Sequence, residues 1–129
     1  MKRTLIALAA CVAAVTAPVA TAEVTRDHFL MRSGNDLAAL CGAASSDPYF
    51  ERAIAFCHGF LVGSHDFYKG TSAGRPSRQL FCLPKPPPAR YEVAQKFADW
   101  AKRNPQNASE SAVDALFRFA TVTWPCKRK

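Results

Sequence analysis

The sequence has few signals for β-strands. Alternating runs of valine, isoleucine, threonine and aromatic residues are nearly absent, whereas alanine-rich segments with a helical period are common. No internal repeat occurs, and the one low-complexity patch, Pro84–Pro88, is typical of a stiff linker, with a polyproline-type ligand as the alternative. We therefore predict an all-α protein, a small compact bundle of about four helices.

Sequence motifs of common chemistries are also missing. Neither a Gly-x-Ser-x-Gly elbow nor a glycine-rich phosphate loop occurs, so a serine nucleophile and a nucleotide site have no support. The aromatic and basic pattern of ribonucleoprotein motifs is missing too, which argues against nucleic acid as a partner. These absences favour a binding protein over an enzyme, with no cofactor.

His58, His65 and Asp66 are the residues that most suggest a metal or acid–base site. Histidines that share a metal on a helix are usually three or four residues apart, as in His-Glu-x-x-His. Here they are seven residues apart, which separates them by roughly 10 Å along a helix axis. The spacing predicts a partly exposed polar stripe without a metal.

The apolar run near the N-terminus is too short to span a membrane. It follows a basic start and precedes the small residues Ala20–Ala22, which resemble a cleavage site. A spanning helix needs about 20 apolar residues, so residues 1–22 are predicted to be a secretory signal peptide. A lipoprotein signal acylated at Cys11 is the alternative. Residues 23–129 are then expected to form a single domain outside the cytoplasm, without membrane insertion.

Four cysteines follow the predicted signal, namely Cys41, Cys57, Cys82 and Cys126. An even number of cysteines in a short exported chain predicts a framework of two disulfides, because the compartment is oxidising. A zinc site is the alternative. It lacks a Cys-x-x-Cys motif, and the adjacent residues Cys57 and His58 seldom bind one ion together.

Helical periodicity and capping residues place four helices along the chain. Their expected ranges are 34–41, 48–68, 89–103 and 109–123. The second helix has a wide apolar face that includes Phe56 and Phe67, which predicts neighbours on two sides. Gly59 and Gly63 each cost this helix up to about 1 kcal/mol. We therefore expect another helix to pack closely over both glycines, with a hinge as the alternative.

The third and fourth predicted helices are joined by a short connection and should pack antiparallel. Cys82, just before one helix, then lies at the same end as Cys126, just after the other. This geometry pairs Cys82 with Cys126 and leaves Cys41 for Cys57. Sequence alone permits three pairings, and only the geometric argument separates them.

Positive charge is concentrated in the second half of the chain. Residues 23–66 contain three basic and six acidic residues, a net −3, whereas residues 67–129 contain twelve and four, a net +8. A basic surface attracts anionic partners, and the alternative is that the charge only keeps the domain soluble. Arg75 and Arg78, in the polar loop 69–79, are the candidate partner-binding residues, with an ordinary mobile loop as the alternative.

Several of these segments together resemble the Rap/Tai family of immunity proteins. The similar segments are Cys41, the run Cys57–Asp66, Phe81–Pro84 and Trp124–Cys126. The most specific one reads Cys-x-Gly-aromatic-x-x-Gly-x-x-Asp. The sequence departs from the family pattern at the proline patch and at Trp124, where phenylalanine is usual.

The resemblance implies an all-helical periplasmic fold with two disulfides. It also implies that the protein binds and blocks a peptidoglycan-cleaving amidase toxin delivered by type VI secretion, often as a homodimer. The alternative is a general periplasmic or envelope-stress protein that has the fold without a dedicated toxin, and a small hydrolase ranks third. An amidase encoded next to the gene would favour the first function.

Overall fold

The computed structural model describes residues 23–127, and the regular elements within that range are all helical. Two short 3-10 turns lie at Arg26–Leu30 and Pro76–Arg78. The α-helices are α1 (Gly34–Cys41), α2 (Phe50–Ser72), α3 (Arg90–Arg103), α4 (Pro105–Ala108) and α5 (Ala112–Thr123). The all-α prediction is confirmed. The predicted signal peptide at residues 1–22 lies outside the described residues.

Capping side chains explain where the helices begin. The Oγ of Ser33 accepts a hydrogen bond from the N–H of Asp36 at 3.3 Å, and α1 covers the predicted range. At α5, Ser111 caps the N–H of Asp114 in the same way at 3.2 Å. This helix therefore begins at Ala112, later than predicted, because the separate short helix α4 occupies part of the connection after α3.

The second helix is longer at its C-terminal end than the apolar pattern predicts, reaching Ser72 instead of Tyr68. The hydroxyls of Thr71 and Ser72 donate to the carbonyl oxygen of Tyr68 at 3.1 and 2.7 Å. These bonds support a polar last turn that has no apolar stripe to reveal it. The chain then turns at Gly74, whose φ of 67° suits a residue without a Cβ.

The short helix α1 lies at the centre of the packing and contacts α2, α3, α4 and α5. Its side chains Leu37 and Leu40 are fully buried. Phe97 of α3 and Phe119 of α5 are buried with them, and their rings meet edge to face with centroids 5.5 Å apart. Burial of such side chains contributes about 1.5 to 3 kcal/mol each, so this cluster stabilises the whole bundle.

Both predicted disulfide pairings are confirmed. The Cys41–Cys57 bond joins α1 to the middle of α2, with the Cα atoms 5.2 Å apart. The Cys82–Cys126 bond joins the chain before α3 to the chain after α5, with the Cα atoms 4.9 Å apart. The start of α3 therefore lies beside the end of α5, as the antiparallel arrangement requires.

The prediction that another helix packs over Gly59 and Gly63 is wrong. A Cβ atom built on either residue would meet no heavy atom within 4 Å, and both glycines are exposed. The helix α2 contacts both α1 and α3, but one flank of it is open to solvent. On that flank Phe56 is 41% exposed and Phe67 is 70% exposed. The buried face of α2 is therefore narrower than the apolar face that the sequence predicts.

We expect Gly59→Ala and Gly63→Ala each to raise the free energy of unfolding of the monomeric protein by up to about 1 kcal/mol. Alanine favours the helix, and at these positions its Cβ meets no neighbour. Urea denaturation followed by circular dichroism measures the change. Gly42→Ala is the control, because its Cβ would lie 3.0 Å from the Cβ of Ala98. Lower stability in both exposed variants would contradict the expectation.

Candidate functional site

An apolar cavity of about 250 Å³ lies between α2, the proline segment Pro84–Pro88, α3 and α5. Because its wall combines side chains from separate parts of the chain, no single stretch of sequence predicts it. Two of its lining residues, His65 and Arg90, are titratable or charged, and the others are apolar. The aromatic lining residues are Phe81, Phe117, Phe119 and Trp124.

Stacked aromatic rings hold the segment that leads into the cavity wall. Tyr68, near the end of α2, stacks on Phe81 with ring centroids 4.4 Å apart. The hydroxyl of Tyr68 donates to the carbonyl of Phe81 at 3.1 Å and accepts from the N–H of Leu80 at 2.9 Å. The N–H of Cys82 donates to the carbonyl of Trp124 at 2.8 Å. These contacts fix the chain before the proline segment against the end of α5.

The polar groups of the cavity differ in charge at neutral pH. Arg90, the first residue of α3, is exposed, and none of the ion pairs within residues 23–127 involves it. Partial burial is the main cause that lowers the pKa of His65 below the usual histidine value, and the charge of Lys69 adds to this effect. Asp66 opposes the shift, with its Oδ1 3.9 Å from Nδ1 of His65. His65 is therefore neutral near pH 7, and Arg90 supplies the positive charge.

We expect acidification below the usual histidine pKa of about 6.5 to destabilise the protein, and His65→Gln to remove part of that loss. The pKa of His65 is lower in the folded state, so the unfolded state binds more protons in the window between the two values. The contribution of neutral His65 to stability is fully present above the pKa of the unfolded state, and it is lost as the pH falls toward the pKa of the folded state. Urea midpoints between about pH 8 and pH 5 measure it. Identical pH profiles of both proteins would contradict the expectation.

The three residues that suggested metal or acid–base chemistry lie in different environments. Asp66 lies 3.3 Å from the ammonium of Lys69, and His65 faces the cavity. The Nε2 of His58 is buried and has no hydrogen-bond partner. Within the described part of the chain, no group of three or more histidine, cysteine or carboxylate side chains could hold a metal ion.

The candidate loop residues lie close to the cavity. Arg75 precedes the short 3-10 turn and Arg78 is its last residue, and both are exposed. A depression beside this turn has Pro76 and Gln79 in its lining. Leu83 and Trp124 line both this depression and the apolar cavity. The structure thus places the loop and the cavity side by side on one surface.

Charge along residues 67–91, from the last turns of α2 to the start of α3, has one sign. Residues 67–91 contain five basic residues and no acidic one. Lys69 is paired with Asp66, but the remaining four form no ion pair with any residue that the structure describes. These four are Arg75, Arg78, Lys85 and Arg90.

Sequence reasoning found the basic loop but missed the cavity. One feature of the sequence could have indicated the cavity, because each cysteine of one predicted disulfide has an aromatic residue nearby. Phe81 is next to Cys82, and Trp124 lies two residues before Cys126. Pairing the cysteines brings both aromatic residues to one place, and both line the cavity.

These features define a small helical protein, joined by two disulfides, whose basic loop and apolar cavity lie side by side on one surface. None of the helices in residues 23–127 is long and apolar enough to cross a membrane. The model of one protein family, described as Rap1a immunity proteins, matches residues 33–126. The chain therefore belongs to the family of Rap1a immunity proteins, and the resemblance seen in the sequence is confirmed. No curated protein and no solved structure matches the chain.

Proposed function

We propose that the protein is a periplasmic immunity protein that binds and inhibits a peptidoglycan-cleaving amidase toxin delivered by type VI secretion. The observation that carries this proposal is the family match over residues 33–126. Two disulfides support the compartment, because such bonds persist in oxidising surroundings and are rare in the cytosol. The predicted signal peptide at residues 1–22 supports it as well. Inhibition by occupying the toxin's active-site cleft needs neither a cofactor nor a reaction.

In this proposal the loop that carries Arg75 and Arg78 contacts an acidic surface of the toxin. Both side chains are exposed and form no ion pair with the described residues, so they are available to a partner's carboxylates. Charge complementarity of this kind accelerates encounter and selects partners.

Protection of cells tests the proposal. An amidase encoded beside the gene is directed to the periplasm, and the immunity chain is coexpressed with and without residues 1–22. We expect survival only with the full chain, because peptidoglycan lies outside the cytoplasmic membrane and the inhibitor must meet its toxin there. Equal protection by the truncated chain would contradict the periplasmic assignment.

Stoichiometry separates inhibition from catalysis. Protection by a binding protein should follow the ratio of inhibitor to toxin and should survive alanine at His58 or Asp66 when folding is intact. With His65→Ala, whose side chain lines the cavity, protection should fall only as far as binding falls. A folded His65→Ala protein that binds the toxin but no longer protects would indicate a catalytic role. If no amidase from the same genome binds at micromolar concentration, the general envelope-protein function replaces immunity.

We also propose the homodimer that the family resemblance implies. The exposed flank of α2 supports it, since Phe56 and Phe67 lie on one face of the helix and offer apolar surface to a second copy. Sedimentation velocity of the wild type and of Phe67→Glu tests this: the wild type should sediment as a dimer and the variant as a monomer. A monomeric wild type at micromolar concentration would rule the homodimer out.

A further inference from the structure

We propose that the apolar cavity is the anchor pocket for the toxin, and that it receives one bulky apolar side chain beside a carboxylate that pairs with Arg90. The inference rests on the proposed function, because it takes the amidase as the partner. It adds a site to the basic loop and assigns the chemistry of the toxin segment that the site recognises.

The size of the cavity selects the kind of occupant. An engineered apolar cavity of about 150 Å³ binds benzene, whereas pockets for drug-sized molecules measure about 300 to 1,000 Å³. At about 250 Å³ this cavity holds one ring with a few additional carbon atoms. A tryptophan or phenylalanine side chain fits that description, and a long acyl chain does not.

The lining and the charge select the neighbouring group. Phe81, Phe117 and Trp124 offer aromatic faces, which suit an aromatic anchor. Arg90 is the charged lining residue, it is exposed, and it has no acidic partner within residues 23–127. A carboxylate next to the anchor would form a charge-assisted hydrogen bond with its guanidinium.

The position of the cavity beside the basic loop indicates that the apolar side chain and its carboxylate belong to a protein. Leu83 and Trp124 connect the cavity to the depression beside the loop of Arg75 and Arg78. One acidic protein surface can therefore meet the loop while an apolar side chain enters the cavity. Anchors of this kind, in desolvated pockets with charged surroundings, carry most of the affinity of protein interfaces.

Four variants test the pocket against the toxin. Val62→Trp places a large ring at the cavity wall, and Arg90→Glu reverses the charge at its rim. The matched controls are Val122→Trp, at an exposed valine of α5, and Arg52→Glu, at an exposed arginine in the first turn of α2. Circular dichroism melting first establishes that all four are folded. We expect both pocket variants to bind the neighbouring amidase about tenfold or more weakly, and both controls to bind as the wild type does.

The results separate the pocket from the proposed function. If the wild type binds the amidase and both folded pocket variants bind equally well, the pocket inference is overturned and the immunity assignment stands. If the wild type binds no amidase, the assignment falls and the toxin is not the occupant. High salt screens exposed charges, so the loss of toxin affinity caused by Arg90→Glu should disappear at high salt. The loss of affinity caused by Val62→Trp should remain, because it comes from blocking the cavity. This pair of results supports both the apolar side chain and the carboxylate of the proposed anchor.

A small probe tests the chemistry of the pocket without the toxin. N-acetyltryptophan carries an indole ring and a carboxylate, and N-acetyltryptophanamide has the same ring without the charge. We expect the acid to shift the NMR signals of cavity residues with a Kd near 1 mM, and the amide to bind about threefold more weakly. Arg90→Ala should make the two probes equal. If neither probe shifts these signals, or if both bind the wild type equally, the inference is overturned.

Discussion

Removal of the buried disulfide, by replacing Cys41 and Cys57 with alanine, is expected to lower the free energy of unfolding by about 4 kcal/mol or more. The bond closes a sequence separation of 16 residues, for which loop entropy contributes about 3 kcal/mol. Both cysteines are 0% exposed, so the missing sulfur atoms also leave a void between α1 and α2. Denaturant unfolding with circular dichroism measures the loss.

The second disulfide provides the comparison. Its separation of 44 residues corresponds to about 4 kcal/mol of loop entropy, so loop length alone makes Cys82–Cys126 the stronger of the two. Cys82 is exposed, however, and its removal leaves no void. We therefore expect similar losses from both double variants, and we expect a thiol reductant to open the exposed bond first. A loss below about 1 kcal/mol for the buried pair would contradict the argument.

Gly34→Ala is expected to destabilise the protein by about 2 kcal/mol or more, because the residue is buried at the start of the central helix α1. A Cβ atom at this position would overlap the Cβ of Ala115 and would lie 2.9 Å from the carbonyl oxygen of Ala108. The N–H of Gly34 also donates to the carbonyl of Glu110 at 2.9 Å, which holds the backbone in place. Urea unfolding measures the change.

A second substitution checks the cause. Ala115→Gly removes the nearest of the atoms that the new methyl group would meet, so the double variant should regain part of the loss, beyond the sum of the single changes. Because the carbonyl of Ala108 remains, recovery should be incomplete. Strict additivity of the two changes would mean that Gly34 and Ala115 do not share the contact.

The positions of the helices were largely predictable because capping and periodicity are local properties. Ser33 and the apolar spacing after it indicate the bounds of α1 from the local sequence, although its stability comes from packing in the bundle. The disulfide pairing was predictable for a different reason, since a short connection limits how two helices pack. Polar extensions such as the last turn of α2 were missed because side-chain hydrogen bonds to the backbone leave no apolar pattern.

The close approach of two backbones was not predictable from glycine positions. Gly59 and Gly63 stand inside a helix, where glycine is costly, and this suggested a packing reason that does not exist. Gly34 begins a helix, where glycine needs no explanation, and yet it is the residue that α4 and α5 touch. Which glycine is crowded depends on the tertiary arrangement of residues distant in sequence. The cavity could not be predicted for the same reason. The positive charge beside it could be predicted, because it follows from the number of basic and acidic residues in that part of the sequence.

Tyr68, Phe81 and Ala120 form a small hydrophobic cluster separate from the main one in α1, α3 and α5. The irregular stretch 79–83 is held there by the hydroxyl of Tyr68 and one backbone bond to Trp124. Amide hydrogens in this stretch should exchange with solvent through local opening, well before those of the main core, which need global unfolding. The Cys82–Cys126 bond keeps the opened stretch beside α5, so it recloses quickly. We therefore expect one wall of the cavity to open transiently while the main core stays folded.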